Sequence, residues 1–275
     1  MIKNKKGILT ASFGTSILKV LNLCIKSTED SIKEAFPDYD IRRAFTSSMI
    51  INKLKKEEKL HIDTVDEALH RMENDGFSEV YIQPLHIIPG DEYDKLVNMA
   101  KRYENSFERL VIGRPILYRE NDYKIAARAF KSQIPENYKG KAIILMGHGS
   151  SHPINASYSM LQNIFRDEGI DNIFIATVEG YPILENVIPY LKSKHIKNII
   201  LMPFMLVAGN HVEEDMMGDS KYSWKNVLEK LGFKIEVYLH GLGENTAFHD
   251  IYIQHIKDSI NGNPLMKDKK MEAYR

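Results

Sequence analysis

The sequence predicts an α/β protein with two similar doubly wound parallel-sheet domains, related by internal duplication, around a central cleft. Strand-like apolar runs alternate with amphipathic helix-like runs along the 275 residues, which is typical of a mostly parallel sheet with helices on both faces. Two short stretches of the first half also recur in the second half, and such repeats indicate duplicated domains. Two related domains that face each other would leave a cleft between them.

Residues 1–137 are expected to form the N-terminal α/β domain. The apolar pattern predicts strands near 6–13, 40–45, 79–86 and 108–113, and helices near 17–35, 48–58, 64–75, 91–105 and 121–133. Thr64 and Asn121 are suitable N-caps for their helices, and Gly76 is a suitable helix stop. The domain is expected to end in a linker at 134–140, where a proline and a glycine stand among polar residues.

Residues 138–262 are expected to form the C-terminal α/β domain, which repeats the same rhythm. The pattern predicts strands near 141–147, 173–178, 198–205 and 234–239, and helices near 154–168, 182–194, 211–217, 222–231 and 245–260. Residues 263–275 lose the apolar period, so they are predicted to be a mobile tail.

The composition is that of an ordinary globular protein, with 43% hydrophobic and 27% charged residues. Basic and acidic residues number 37 each, so no overall charge favours nucleic acid or an anionic membrane as a partner. Cys24 is the single cysteine, which excludes an internal disulfide and favours a reducing compartment. Because no apolar run is long enough for a membrane span or a signal peptide, we expect a cytoplasmic protein.

The clearest repeat is a strand followed by a turn closed with glycine and the start of a helix. Pro84-Leu-His-Ile-Ile-Pro-Gly-Asp-Glu92 matches Pro203-Phe-Met-Leu-Val-Ala-Gly-Asn-His211. A second pair supports it, since Ile8-Leu-Thr-Ala-Ser-Phe-Gly-Thr-Ser16 matches Ile143-Ile-Leu-Met-Gly-His-Gly-Ser-Ser151. The offsets of the two pairs are about 135 and about 119, so the first half carries an insertion of roughly sixteen residues. Glu92 thus stands opposite His211, and Phe13 opposite His148.

Three polar residues of the second half each follow a different predicted strand: His148, Glu179 and His211. Open parallel sheets bind ligands outside the carboxyl ends of their strands, so these side chains are expected to converge. Two imidazoles and one carboxylate suit a divalent ion such as Co(II), Fe(II), Ni(II) or Zn(II), and three protein ligands leave coordination positions open for a substrate. A lone histidine at a strand end is more often structural. The first repeat, however, has Phe13 and Glu92 where the second has His148 and His211, and this difference favours a function for the two histidines.

Other patterns give weaker signals. Gly147-His-Gly-Ser-Ser151 lacks the G-x-S-x-G order of a nucleophile turn, and the sequence holds no phosphate-binding G-x-x-x-x-G-K-[ST], so a hydrolase built on Ser150 is disfavoured. His86, His152 and His240 also lie near strand ends or turns, and we expect each of them to be a hydrogen-bonded turn or core histidine.

Several motifs occur in order between residues 12 and 245. They are Ser12-Phe-Gly-Thr-Ser16, Arg43-Ala-Phe-Thr-Ser47, Leu85-His-Ile-Ile-Pro-Gly-Asp-Glu-Tyr93, Met146-Gly-His-Gly149, Val178-Glu-Gly-Tyr-Pro182, Met202-Pro-Phe-Met-Leu-Val-Ala-Gly-Asn-His211 and Gly241-Leu-Gly-Glu-Asn245. Together they resemble the anaerobic-pathway sirohydrochlorin cobalt chelatase family, which belongs to the ATP-independent class II tetrapyrrole chelatases. Pro89 and Gly180 depart from residues that relatives can have, Asn and Ser respectively, and neither departure removes a ligand.

The resemblance implies a lyase that inserts Co(II) into sirohydrochlorin during cobalamin biosynthesis, with Co(II) as the substrate metal and neither ATP nor an organic cofactor. It implies that His148 is a general base and metal ligand, that Glu179 and His211 complete the metal site, and that Glu92 on the opposite wall assists proton removal or substrate placement. Candidate substrate-binding residues are the apolar Phe13 and the carboxylate anchors Ser12, Thr15, Thr46 and Ser47, for which ordinary turn roles compete.

Three alternatives stay open at this point. The metal could be Fe(II), giving sirohaem, or Ni(II), because protein ligands alone do not choose among these ions. A two-lobed protein that binds a metal or a tetrapyrrole without reacting it would show the same duplication. A metal-dependent hydrolase could use the same ligands, although no nucleophile or phosphate motif favours it. The sequence also leaves open whether the protein forms a homo-oligomer.

Overall fold

The computed structural model describes residues 5–262, and the predicted tail lies outside them. In the first half the strands are β1 (Lys5–Ser12), β2 (Asp40–Phe45), β3 (Asp63–Thr64), β4 (Phe77–Pro84) and β5 (Arg109–Ile112). In the second half they are β6 (Ala142–Gly147), β7 (Ile173–Thr177), β8 (Asn198–Pro203) and β9 (Lys234–Val237). Within the described residues they form two sheets, ordered β3-β2-β1-β4-β5 and β7-β6-β8-β9.

Every strand pair in both sheets is parallel, which confirms the prediction of an α/β fold with two parallel sheets. The helices of the first half are α1 (Leu18–Val20), α2 (Ser27–Ala35), α3 (Ser48–Glu57), α4 (Val65–Asn74), α5 (Asp91–Ala100) and α6 (Glu120–Lys131). Those that follow are α7 (Ser157–Asp167), α8 (Leu184–Ser193), α9 (Trp224–Lys230) and α10 (Thr246–Asn261). The division near residue 137, between the two sheets, stays a prediction.

Helix ends follow the predicted signals in part. Thr64 caps α4, because its hydroxyl accepts from the N–H of Glu67 at 3.2 Å while the Glu67 carboxylate accepts from the N–H of Thr64 at 2.8 Å. Gly76 follows α4 with a φ of +79° and ends it as predicted. Asn121 was the wrong choice for an N-cap, because α6 begins at Glu120, one residue earlier.

Two predicted helices contain π-helical turns that no sequence signal indicated. The predicted helix 17–35 is interrupted at Leu21–Lys26, and the predicted helix 211–217 is the π-helical turn Val212–Met216. The strand β3 was not predicted, because two residues are too short to show the alternation of an exposed strand.

Apolar side chains on both faces of each sheet are buried, which is why the central strands read as continuous apolar runs. Successive strand residues point to opposite faces, and Ile143 and Ile144 of β6 accordingly join different apolar clusters. One cluster packs α4 and α5 on the first sheet, and another packs α8 and α9 on the second. A third includes residues of both sheets together with α2, α6, α7 and α10, and so joins the two halves.

The helix α10 follows the second sheet in the chain but packs against elements of the first half: α2, α6 and β4. The hydroxyl of Tyr252 donates to the carbonyl of Leu85 at 2.9 Å. The guanidinium of Arg114, which follows β5, binds Asp258 of α10 at 2.8 Å. The chain therefore crosses between the halves twice, and these contacts fix the two halves relative to each other.

Candidate active site

His148 directly follows β6 and stands between two glycines whose backbones leave no room for side chains. A Cβ on Gly147 would lie 2.5 Å from the Tyr158 ring. Gly149 has a φ of +85°, and a Cβ there would lie 2.7 Å from the backbone nitrogen of Gly180. The His148 carbonyl accepts from the N–H of Glu179 at 2.8 Å. The loops after β6 and β7 are therefore held together by backbone contacts at the point where their polar residues emerge.

The structure brings His148, Glu179 and His211 together, and we call these candidate ligands the metal-ligand cluster. One ligand atom from each side chain lies within 4.8 Å of the others. The rings of His148 and His211 have centroids 4.8 Å apart and are almost perpendicular, at 88°. His148 Nδ1 lies 3.9 Å from a Glu179 carboxylate oxygen. Three side chains from three strand ends thus meet at one point, as the parallel topology predicted.

Solvent reaches this cluster, since the side chains of His148, Glu179 and His211 are 44%, 60% and 38% exposed. His211 Nδ1 lies 2.7 Å from a carboxylate oxygen of Asp215, one turn further along the chain. A carboxylate accepts, so the His211 proton is on Nδ1 and Nε2 keeps its lone pair. His148 Nδ1 lies 3.0 Å from the Gly149 carbonyl, which favours the same tautomer. Both rings can therefore offer Nε2 to a metal ion, and an ion held here would keep coordination positions open on the solvent side.

Glu92 lies in the first turn of α5, on the half opposite to the metal-ligand cluster. One of its carboxylate oxygens binds Lys95 at 2.5 Å, and the other is buried with no hydrogen-bond partner among residues 5–262. The preceding residue, Asp91, accepts a hydrogen bond from the hydroxyl of Ser150 at 3.0 Å. Because Ser150 is two residues beyond His148, the first turn of α5 lies beside the loop that carries His148.

Two of the candidate carboxylate anchors, Ser12 and Thr46, lie at the carboxyl ends of β1 and β2. The Ser12 and Thr46 hydroxyls are both buried, and neither has a hydrogen-bond partner within the described part of the chain. The backbone of Thr46 donates to the Ser12 carbonyl at 2.8 Å, so the two residues are neighbours. Buried polar groups are rarely left unpaired, and these two hydroxyls are therefore suited to a polar ligand. Phe13, beside them, is 41% exposed.

The other two candidate anchors already have structural contacts. The Ser47 hydroxyl caps α3 by accepting from the N–H of Ile50 at 3.4 Å. The Thr15 hydroxyl accepts from the N–H of Ile17 at 3.2 Å. It also lies 3.6 Å from the position of a Cβ on Gly209, in the loop before His211. The first-half loop after β1 thus lies beside the second-half loop that leads to His211.

His86 differs from the sequence-based expectation. His152 and His240 have partners as predicted, since His152 Nδ1 accepts from the N–H of Ile154 at 3.1 Å and His240 Nδ1 contacts Glu244 at 2.8 Å. Both ring nitrogens of His86, in contrast, are buried and have no partner among the residues that the structure describes. Burial lowers the pKa of His86 to about 4, although the nearby charge of Glu92 opposes this change. His86 is therefore neutral near pH 7.

We expect the substitution His86→Met to make the protein less sensitive to acid. Met205 occupies the matching position of the second repeat, so methionine fits this local fold. The pKa of His86 is lower in the folded than in the unfolded protein. His86 therefore hardly affects the free energy of unfolding above pH 6.5, and it lowers that free energy as the pH falls toward 4. Between pH 7 and pH 5 the wild type should lose about 2 kcal/mol more of its free energy of unfolding than the variant.

Urea denaturation at both pH values measures this difference. His86→Leu, a second apolar replacement, should give the same loss of pH sensitivity, which separates the titration of His86 from changes in packing. Equal pH dependence in the wild type and both variants would contradict the assignment.

A second group of possible ligands was not singled out in the sequence: His61, Asp63 and Glu67 also lie within 4.8 Å of one another. Their oxygens serve the local fold. Asp63 accepts from Arg71 at 2.9 Å, and Glu67 accepts from the backbone of Thr64 at the N-terminus of α4. Within residues 5–262, the carboxylate of Glu179 has no lysine or arginine partner of this kind.

Comparison with known proteins matches almost the whole chain to the family that the sequence motifs resemble. The family model described as cobalt chelatase (CbiK) matches residues 6–261. The chain belongs to the cobalt chelatase (CbiK) family. This confirms the family that the sequence motifs indicated, and with it the prediction of a metal chelatase.

Two curated proteins of this family are close relatives. The sirohydrochlorin cobaltochelatase of Salmonella typhimurium is 37% identical over 257 residues, which cover 94% of this chain and 97% of the relative. The sirohydrochlorin cobaltochelatase CbiKC of Nitratidesulfovibrio vulgaris is 34% identical over 261 residues, covering 94% and 91%. Both matches span essentially full chains, so the similarity includes both halves.

Solved structures confirm the fold. SirB from Bacillus subtilis, determined with Fe3+, has a TM-score of 0.60 at 14% identity and covers 94% of this chain and 96% of its own. CbiX, described as the terminal enzyme for biosynthesis of siroheme in denitrifying bacteria, has a TM-score of 0.55 at 15% identity and covers 92% and 99%. At these identities the likeness concerns the chelatase fold alone. Along residues 5–262, no helix is both long and apolar enough to cross a bilayer.

Proposed function

We propose that this protein inserts Co(II) into sirohydrochlorin without ATP, as a step of anaerobic cobalamin biosynthesis. The observation that carries the proposal is the convergence of His148, Glu179 and His211 at one solvent-accessible point. The relatives named sirohydrochlorin cobaltochelatase support the choice of substrates. A cytoplasmic location and the absence of an organic cofactor remain predictions from the sequence.

In the proposed reaction the metal-ligand cluster holds Co(II) at the face of the macrocycle. Three protein ligands leave coordination positions that water occupies first and the ring nitrogens take over as insertion proceeds. The exposed side of the cluster is the side from which a flat ring can approach. The Asp215 carboxylate, 2.7 Å from His211 Nδ1, supports the tautomer that presents Nε2 to the ion.

Two pyrrole protons must leave the ring as the metal enters. His148 is proposed to accept one of them on Nε2 once the ion has left that nitrogen for the ring, since a neutral imidazole is a suitable base near pH 7. Glu92, with one buried oxygen that no described residue binds, is proposed to assist from the opposite wall. Bases on both sides of a ring would remove protons without requiring either group to move across the cleft.

The carboxylates of the macrocycle are proposed to bind at the ends of β1 and β2. The unpaired hydroxyls of Ser12 and Thr46 are suitable donors, and the exposed ring of Phe13 is a suitable apolar contact for the macrocycle. Thr15 and Ser47 would support these contacts through their loops, since their own hydroxyls are engaged locally.

The direct test is an anaerobic spectrophotometric assay with purified protein, Co(II) and sirohydrochlorin. We expect catalytic conversion to the cobalt complex well above the rate without protein, unaffected by ATP. Fe(II) and Ni(II) at the same free concentration would determine the preferred metal. Stoichiometric retention of the macrocycle without turnover would contradict the proposal and favour a carrier, and faster turnover with Fe(II) or Ni(II) would reassign the metal.

A further inference from the structure

The two halves of the protein are joined beside the site by a hydrogen bond between Ser150 and Asp91. The Ser150 hydroxyl donates to an Asp91 carboxylate oxygen at 3.0 Å. Ser150 is two residues beyond His148, and Asp91 directly precedes Glu92 in the first turn of α5. We call this contact the cross-half bridge. It joins the segment of the metal-ligand cluster to the segment of the proposed base on the opposite wall.

Ser150 is itself oriented by further hydrogen bonds within the second half. Its hydroxyl accepts from the N–H of His152 at 3.0 Å, and its N–H donates to the side-chain oxygen of Asn155 at 3.0 Å. The amide nitrogen of Asn155 donates to the carbonyl of Tyr181 at 2.6 Å, two residues beyond Glu179. The cross-half bridge is thus connected to the loops of two metal ligands.

A second set of contacts lies next to the cross-half bridge. His152 Nδ1 accepts from the N–H of Ile154, so in the neutral ring Nε2 carries the proton, and Nε2 lies 3.6 Å from a carboxylate oxygen of Asp94. The Ile154 side chain packs 3.6 Å from the position of a Cβ on Gly90. These contacts keep the start of α5 against the loop after β6, while the serine hydroxyl provides the short directional contact.

Metal insertion requires the ion and the base to act on the same ring, so the distance between the two walls matters. A shift of about 1 Å in a reacting group can cost about a hundredfold in rate. We propose that Ser150 and Asp91 are positioning residues, which set the place of Glu92 relative to the metal bound by His148. This inference rests on the proposed function, because it concerns the same site.

The first test is the substitution Ser150→Ala, assayed anaerobically for Co(II) insertion. Because Ser150 contacts neither the metal nor the ring in this proposal, we expect kcat to fall about tenfold while the Kd for Co(II) changes less than about twofold. Ser150→Thr keeps the hydroxyl and should retain most of the rate. Ser151→Ala is the matched control, because Ser151 is the exposed neighbour in the same loop. A wild-type kcat in Ser150→Ala would overturn the inference.

A double-mutant cycle with Glu92→Gln separates positioning from a general structural effect. If Ser150 acts through Glu92, Ser150→Ala should lower kcat less than about twofold in the Glu92→Gln background. Asp91→Ala, which removes the bridge from the other wall, should reproduce the loss of Ser150→Ala, and combining the two should cause no further loss.

Losses that multiply in the cycle would overturn the inference and leave the proposed function standing. An unchanged kcat in Glu92→Gln would overturn the inference and the proposed role of Glu92, and leave Co(II) insertion itself standing. Failure of the wild-type protein to insert Co(II) would overturn both.

Discussion

Replacing His211 with alanine should lower the affinity for Co(II) by at least about a hundredfold and abolish detectable insertion. The structure places His211 in the metal-ligand cluster, with its ring centroid 4.8 Å from that of His148. Loss of a supporting residue outside the coordination shell typically costs ten- to a hundredfold in metal affinity, and loss of one of three direct ligands should cost more. His148→Ala should have the same effect on affinity and also remove the proposed base.

Isothermal titration calorimetry with Co(II), under anaerobic conditions, measures the affinity without macrocycle. His240→Ala is the matched control, because His240 pairs with Glu244 four residues later at 2.8 Å, as His211 pairs with Asp215 at 2.7 Å. This control should bind Co(II) like the wild type. An unchanged Kd in both His148→Ala and His211→Ala would show that the ion binds elsewhere.

Replacing Arg114 with leucine should destabilise the whole protein by about 3 to 5 kcal/mol. Arg114 and Asp122 are both buried, and they form two contacts, with Nε at 3.0 Å and Nη2 at 3.3 Å from the carboxylate oxygens. Burial alone would raise the pKa of Asp122, but the His255 ring, 3.7 Å away, and the hydrogen bonds from Arg114 hold it below its ordinary value. Without Arg114 a buried carboxylate would lose its main counter-charge, and α10 would lose the contact to Asp258.

Urea denaturation monitored by circular dichroism at pH 7 measures this loss. Arg128→Leu is the matched control, because Arg128 also forms a two-point contact, with Glu168, but lies on the surface. We expect the control to leave the midpoint nearly unchanged. A similar midpoint for Arg114→Leu and the wild type would mean that the buried pair contributes no net stability.

The central strands could be predicted well because the fold buries them on both faces. All residues of β6, Ala142 to Gly147, are buried, so hydrophobicity marks the strand without any alternation to interpret. Helix ends were predicted where a local hydrogen bond decides them, as at Thr64. The start predicted at Asn121 was wrong, because a different local hydrogen bond, from the backbone of Arg119 to the Asp122 carboxylate, starts the helix earlier.

The candidate site could be predicted in its residue types and strand-end positions, because parallel sheets gather their carboxyl ends along one edge. The alignment of the repeats also identified positions where the two halves carry different residues, such as Glu92 opposite His211. The cross-half bridge could not be predicted, since nothing in the sequence pairs Ser150 with Asp91. The unpaired state of His86 was also missed, because a sequence pattern does not reveal which buried nitrogens lack a partner.

The return of α10 to the first half also determines when that half can mature during synthesis. Phe248, Ile251, Tyr252 and Ile256 of α10 are buried in the cluster shared by both sheets. Until the ribosome has released this helix, the apolar surface that it covers on α2, α6 and β4 stays open to water or to chaperones. The two halves, despite their similar sheets, therefore have to finish folding together.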